Sequence, residues 1–198
     1  MQRAEGWAAR YHAGTCCRRP YAADPCDVAR LAKSFADKLY PEGVDDEEYD
    51  PADVAYHAGL FVYGCELYGL TFERVAEHAG PYAAQVVRAL SHDNRLLPAE
   101  REQQQRDAIR KGGPLHQAVK LAEILASTRE ALRMPEQQVL DNRVDLRRWH
   151  VHQVRIVTLC MPDIKDQPCV SEPLYAASVM LDKLGARLLQ ILGKPYAN

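Results

Sequence analysis

Apolar positions along this chain recur mostly at intervals of three and four, and there is little of the strict alternation that marks a half-buried strand. The pattern breaks at Pro, Gly and acidic stretches, so it predicts short helices joined by loops and an all-α fold, a compact helical bundle. A first helix is expected over roughly Arg3 to Ala13, with Trp7 and Tyr11 on its inner face, followed by the loop "GTCCRRPYAADP". Asp24 before Pro25 is a good N-cap with Pro at the first helical position. Val28, Leu31, Ala32, Phe35 and Leu39 then continue at helical spacing up to Pro41, which predicts a core helix.

Beyond the acidic run "PEGVDDEEYDP", read as a solvated loop, come the helix in "AYHAGLFVYGCELYGLTFERVAEHAG" and a short one capped by Thr71. Another follows from about Pro81 to Ser91. "LLPAEREQQQRDAIRKGG" is charged and Gln-rich, so it reads as an exposed helix ending at Gly112-Gly113. From Pro114, the residues Leu115, Ala118, Ala122 and Leu125 fall on one stripe of a core helix that stops near Met134-Pro135. The segment "RRWHVHQVRIVTLCMPD" has the β-branched content of a strand but the neighbours of a helix, and the helix is preferred. In the last segment Leu174, Ala177, Leu181, Leu184, Leu188 and Ile191 form a heptad-like seam. Two heptads are fewer than the three or four a coiled coil needs, so this seam is expected to dock on the chain's own core.

With 198 residues, 47% of them apolar, the chain can bury a full core, and one domain is favoured over two. The 25 basic and 27 acidic residues give a formal charge of −2, which carries no strong attraction to nucleic acid or anionic membrane. No apolar run is long enough to span a bilayer and the N-terminus has no leader pattern, so a cytoplasmic location is expected. The six cysteines, at 16, 17, 26, 65, 160 and 169, form no Cys-x-x-Cys pair and read as mostly buried thiols.

Four blocks, "ARYHAG...PYAADPCDVARLA", "AGLFVYGCELYGLTFERVAEHAG", "LSHDNRLLPAER" and "AVKLAEILAS", together resemble the HD-domain hydrolases of guanosine tetraphosphate (ppGpp) in order and spacing. In that family the corresponding places read approximately PYxxHPxxVA, AALLHDxxEDTxxTxEExxxxFG and KLADKLxNL. The resemblance covers about residues 4 to 130, the middle block without a gap, and leaves 131–198 as a C-terminal helical extension expected to pack on the rest. It implies an HD-like bundle and a divalent ion, usually manganese, held by a His, the His-Asp pair and a later Asp. The ion would turn a water into the nucleophile for the pyrophosphate group.

None of these four ligands is unchanged here. Asp24 stands at the first His, Val62 and Tyr63 at the His-Asp pair, and Glu123 at the last Asp. Val62 cannot coordinate, and a phenol is a poor neutral-pH ligand for a hard cation. Glu66 keeps the place of the family's catalytic Glu, while Leu67 replaces the adjoining Asp. No metal is therefore expected, although Asp24 and Glu123 would form a weak, water-rich site for magnesium or manganese.

Ligand contacts implied by the resemblance fall on Arg18 and Arg19, a basic pair on a loop several residues shorter than the family's, and on Ser127, where the family has an Asn facing the ribose. Asp24, Tyr63, Glu66 and Lys120 complete the candidate set. His57 lies five residues before the family's His-Asp pair. His150 and His152 would share a face only on a strand, and His92-Asp93 falls in a turn. There is no Gly-x-Ser-x-Gly elbow and no phosphate-cradling glycine loop.

The leading expectation is a catalytically degenerate HD protein that binds a guanine nucleotide, another phosphorylated small molecule, or a protein partner. A second is an active phosphohydrolase with a cation site rebuilt from Asp24, Glu66 and Glu123, in which Glu66 and Glu123 do the catalytic work. A third is an assembly protein that makes a homodimer through its last helix.

Overall fold

The computed structural model describes residues 6, 20–42, 49–67, 69–93 and 95–193. Eleven helices and no strand are found among them: α1 (Pro25–Leu39), α2 (Pro51–Phe61), α3 (Gly64–Leu67), α4 (Phe72–Ala79), α5 (Pro81–Leu90), α6 (Pro98–Lys111), α7 (Gly113–Arg133), α8 (Glu136–Asp141), α9 (Arg143–Leu159), α10 (Pro162–Lys165) and α11 (Pro168–Leu192). The fold is an all-α, HD-domain-like bundle. Arg3–Ala13, apart from Gly6, lies outside the described residues, as do Cys16, Cys17, Arg18, Arg19 and most of the acidic loop.

Local chemistry starts these helices where the sequence indicates. The Asp24 carboxylate accepts from the Cys26 N–H at 2.8 Å, and Asp50 accepts from Ala52 in the same way, each with Pro next in sequence. Thr71 accepts from the Arg74 N–H at 3.3 Å to start α4. The ambiguous segment is α9, a helix, as preferred. The quoted apolar stretch, by contrast, does not run on as one helix: α2 stops at Phe61, and α3 resumes at Gly64 after Val62 and Tyr63.

The central element is α7, buried from Gln117 to Thr128, with α1, α2 and α11 packed around it. The expected seam docks inward, with Ala177, Leu181, Leu184 and Leu188 all buried, so Leu181 and Leu184 offer no surface for a dimer. Arg187 of α11 reaches the C-terminal end of α7, donating to the carbonyls of Ala131 (3.0 Å), Leu132 (2.5 Å) and Met134. These are among the acceptors a helix end leaves unsatisfied.

Two expectations need correction. The Gln-rich helix α6 is not simply exposed, because Gln105 and Ile109 are buried and Gln105 donates to the Leu90 carbonyl. Among the described cysteines, all free thiols, Cys160 is buried but Cys26, Cys65 and Cys169 are only half-buried. None of the described helices is long and apolar enough to cross a membrane.

Helices α1 and α2 approach closely at Gly59. A Cβ there would lie 2.6 Å from Ala29 Cα and 2.8 Å from its N, both backbone atoms that cannot swing away. Gly59→Ala is expected to destabilise the fold by roughly 1–3 kcal/mol through overpacking, despite alanine's better helix propensity. Urea denaturation of the variant checks this, and a gain in stability would refute the contact.

Candidate functional site

The break between α2 and α3 turns Tyr63 into the core beside α7. Its hydroxyl and Ser127 Oγ are 2.6 Å apart, and both residues are buried. Burial first, then the neighbouring Glu123 carboxylate, holds the Tyr63 phenol well above its ordinary pKa, against a weaker pull from its hydrogen bond with Ser127. Tyr63 is thus a neutral hydroxyl and not a phenolate ligand. Ser127 is neither a surface residue nor open to a ribose.

Lys120 was expected to meet a phosphate. It instead turns inward on α7, and its Nζ lies 2.6 Å from Glu123 Oε2, one turn along the same helix, with side-chain exposures of 3% and 9%. The other retained acid is also engaged: Glu66 Oε1 accepts from the His92 backbone N–H at 2.6 Å and stands 3.4 Å from His92 Nδ1. Asp24 is exposed and serves as the N-cap of α1. Asp24, Glu66 and Glu123 therefore do not form the rebuilt cation site, and among the described residues no three His, Cys, Asp or Glu side chains stand together as a metal ion requires.

This donor set does not fit a divalent ion of the HD type. Val62 has no donor atom, the Tyr63 phenol stays protonated, Glu123 already faces an ammonium, and Glu66 is occupied by His92. The turn holding His92, read as incidental in the sequence, is where the second acid finds its partner.

A cavity of about 200 Å³ opens on the other side of His92. Tyr21 and Trp149 line it as a tilted pair with centroids 5.0 Å apart, joined by Arg101, Arg148 and His152. Arg148 Nε donates to Glu102 at 2.8 Å, with the arginine side chain still 45% exposed. Of these, sequence reasoning weighed only His92 and His152, and set both aside. The "RRWH" run carried the missed hint, an arginine beside a tryptophan on a half-buried helix.

His150 and His152 do not pair, because they lie on a helix. His150 Nε2–H donates to the Leu181 carbonyl at 2.8 Å. The Gln105 amide nitrogen is committed to Leu90, so its oxygen faces His152 Nε2 at 2.7 Å and fixes the proton there. Desolvation, followed by the Lys120 charge and then His92 and Arg106, pulls the His152 pKa down to about 2.

The class defined here is an all-α, HD-domain-like helical fold. Among solved structures, the chain is similar to a metazoan ortholog of SpoT that hydrolyzes ppGpp and plays a role in starvation responses. The TM-score is 0.50 over 97% of this chain and 94% of that one, at 20% identity, a likeness of fold. No protein-family model and no curated protein matches the chain.

His152 sets a pH dependence. Its folded pKa is depressed, so below about 6.5 the unfolded chain binds a proton that the folded chain refuses, and stability falls as pH falls. Its share is up to about 1.4 kcal/mol per pH unit below that point. Chemical denaturation at pH 7.5 and 5.0 is expected to show a shallower pH slope for His152→Gln than for the wild-type chain, and equal slopes would refute a neutral His152.

Proposed function

We propose that this chain is a catalytically silent HD-like protein that binds a phosphorylated small molecule, a guanine nucleotide foremost, in the cavity lined by Tyr21, Trp149 and Arg148. The observation that carries this reading is the engagement of both retained acids by the chain's own groups, Glu66 by His92 and Glu123 by Lys120. A hydrolytic HD site needs those acids turned toward a cation and a water. A binding site needs neither.

The cavity supplies what recognition of such a ligand uses. Trp149, packed against the buried Tyr21 ring, gives an aromatic face for a base, and the exposed fork of Arg148 can exchange Glu102 for a phosphate. Arg18 and Arg19, which precede Pro20 in the sequence, lie outside the described residues. The candidate contacts move accordingly. Lys120, Tyr63 and Ser127 are buried and serve the core, while Trp149, Arg148 and Arg101 replace them as ligand contacts. The similar SpoT ortholog's reaction makes ppGpp the first nucleotide to offer.

Calorimetric titration with GDP and with ppGpp is expected to show saturable binding, weakened about tenfold or more by Trp149→Ala, since one aromatic stacking contact is worth about 1–3 kcal/mol. No pyrophosphate release from ppGpp is expected with manganese or magnesium. Metal-dependent release that disappears in Glu123→Gln would replace this reading with the hydrolase one.

A further inference from the structure

Glu123 poses a problem of charge that its surroundings solve in one way. Its side chain is 9% exposed, and a carboxylate so far from water must meet a cation or be heavily hydrogen-bonded. The neighbouring groups narrow the choice. Tyr63 is a neutral phenol, His152 is a neutral imidazole whose two nitrogens face Gln105 and Arg106, and Arg106 is turned toward Glu102 and Gln103. Among the described residues Lys120 forms the ion pair with Glu123, at 2.6 Å.

We infer that the Lys120 ammonium is the resident cation of this site, holding against Glu123 the place that a divalent ion takes in the HD hydrolases it resembles. The matching family motif has lysine followed three residues later by aspartate, whereas this chain has glutamate. The added methylene lengthens the acid that meets the lysine one turn earlier on α7, while Val62 and Tyr63 remove the donors that would compete for it with a metal. The site is charge-complete in the protein itself. Resting on the binding reading above, one functional consequence follows: a phosphorylated ligand binds in the cavity lined by Trp149 and Arg148 without a divalent ion, so chelator and added manganese leave its affinity unchanged.

The test uses the full chain. In a titration with manganese followed by electron paramagnetic resonance, the free-ion signal should rise from the first addition, with no stoichiometric uptake. Lys120→Met keeps the apolar stem and removes the charge. It should melt about 10 °C lower, in the range expected when one partner of a buried pair is removed from a chain of this length. Adding Glu123→Gln to Lys120→Met should restore more than half of the loss by neutralising the stranded acid. Should Lys120→Met fail to fold, the double variant decides: folding supports a charge role for Lys120, and failure shows that its stem carries the structure and overturns the inference. Uptake of one manganese per chain, or a Lys120→Met melting point equal to that of the wild type, also overturns it. Uptake without pyrophosphate release would sink this inference and leave the binding reading standing. Pyrophosphate release without uptake would do the reverse.

Discussion

A buried carboxylate cannot be left alone, and in this protein that constraint is concentrated on one helix. Helix α7 is enclosed from Gln117 to Thr128, so each polar group it carries has to be answered inside the bundle. Glu123 is answered by Lys120, Ser127 by Tyr63, Thr128 by the carbonyl of Ile124 at 2.6 Å, and Gln117 by Asp163 of α10. Of these, the bonds from Ser127 to Tyr63 and from Gln117 to Asp163 tie the rotation of α7 to the elements around it. Rotation in turn decides which side chains face α2 and α3, where the HD pattern would hold its metal, and which face α9, where the cavity lies.

The positions that depart from the HD pattern form one linked set. Losing the metal would strand the acid at position 123 in an apolar core, and an isolated buried charge is among the costliest features a fold can carry. Lys120, at a position where the family motif also has lysine, meets Glu123 at 2.6 Å and removes that cost. Placing Val62 at the break between α2 and α3 fills volume with an apolar side chain, and the Tyr63 hydroxyl reaches Ser127 on α7. A set of exchanges that together leave no stranded charge preserves a fold more readily than any one of them alone.

Much of the fold was legible because helix starts are local chemistry. Asp24-Pro25, Thr71 and Pro81 each announce a first turn within a few residues, and the seam of α11 announces its buried face by spacing. The site was less legible because its contacts are distant in sequence. Gln105 reads as one of a solvated Gln run until His152, 47 residues on, is brought against it. His92 reads as a turn residue until Glu66, 26 residues earlier, accepts from its backbone. For Lys120, the sequence could place the residue on α7 but not the direction of a long side chain that is able to reach either water or its own helix's acid.

Likeness of fold carries least where the chemistry is densest. Over nearly its whole length the chain shares its fold with a metazoan ppGpp hydrolase, while its own buried helices carry a lysine-glutamate pair, a phenol and a valine. The cavity beside them survives these exchanges because its walls come from other elements: Tyr21 from the segment before α1, Arg101 from α6, and Arg148 and Trp149 from α9. On the proposed reading, side chains on α2, α3 and α7 can change while the walls of the cavity stay in place.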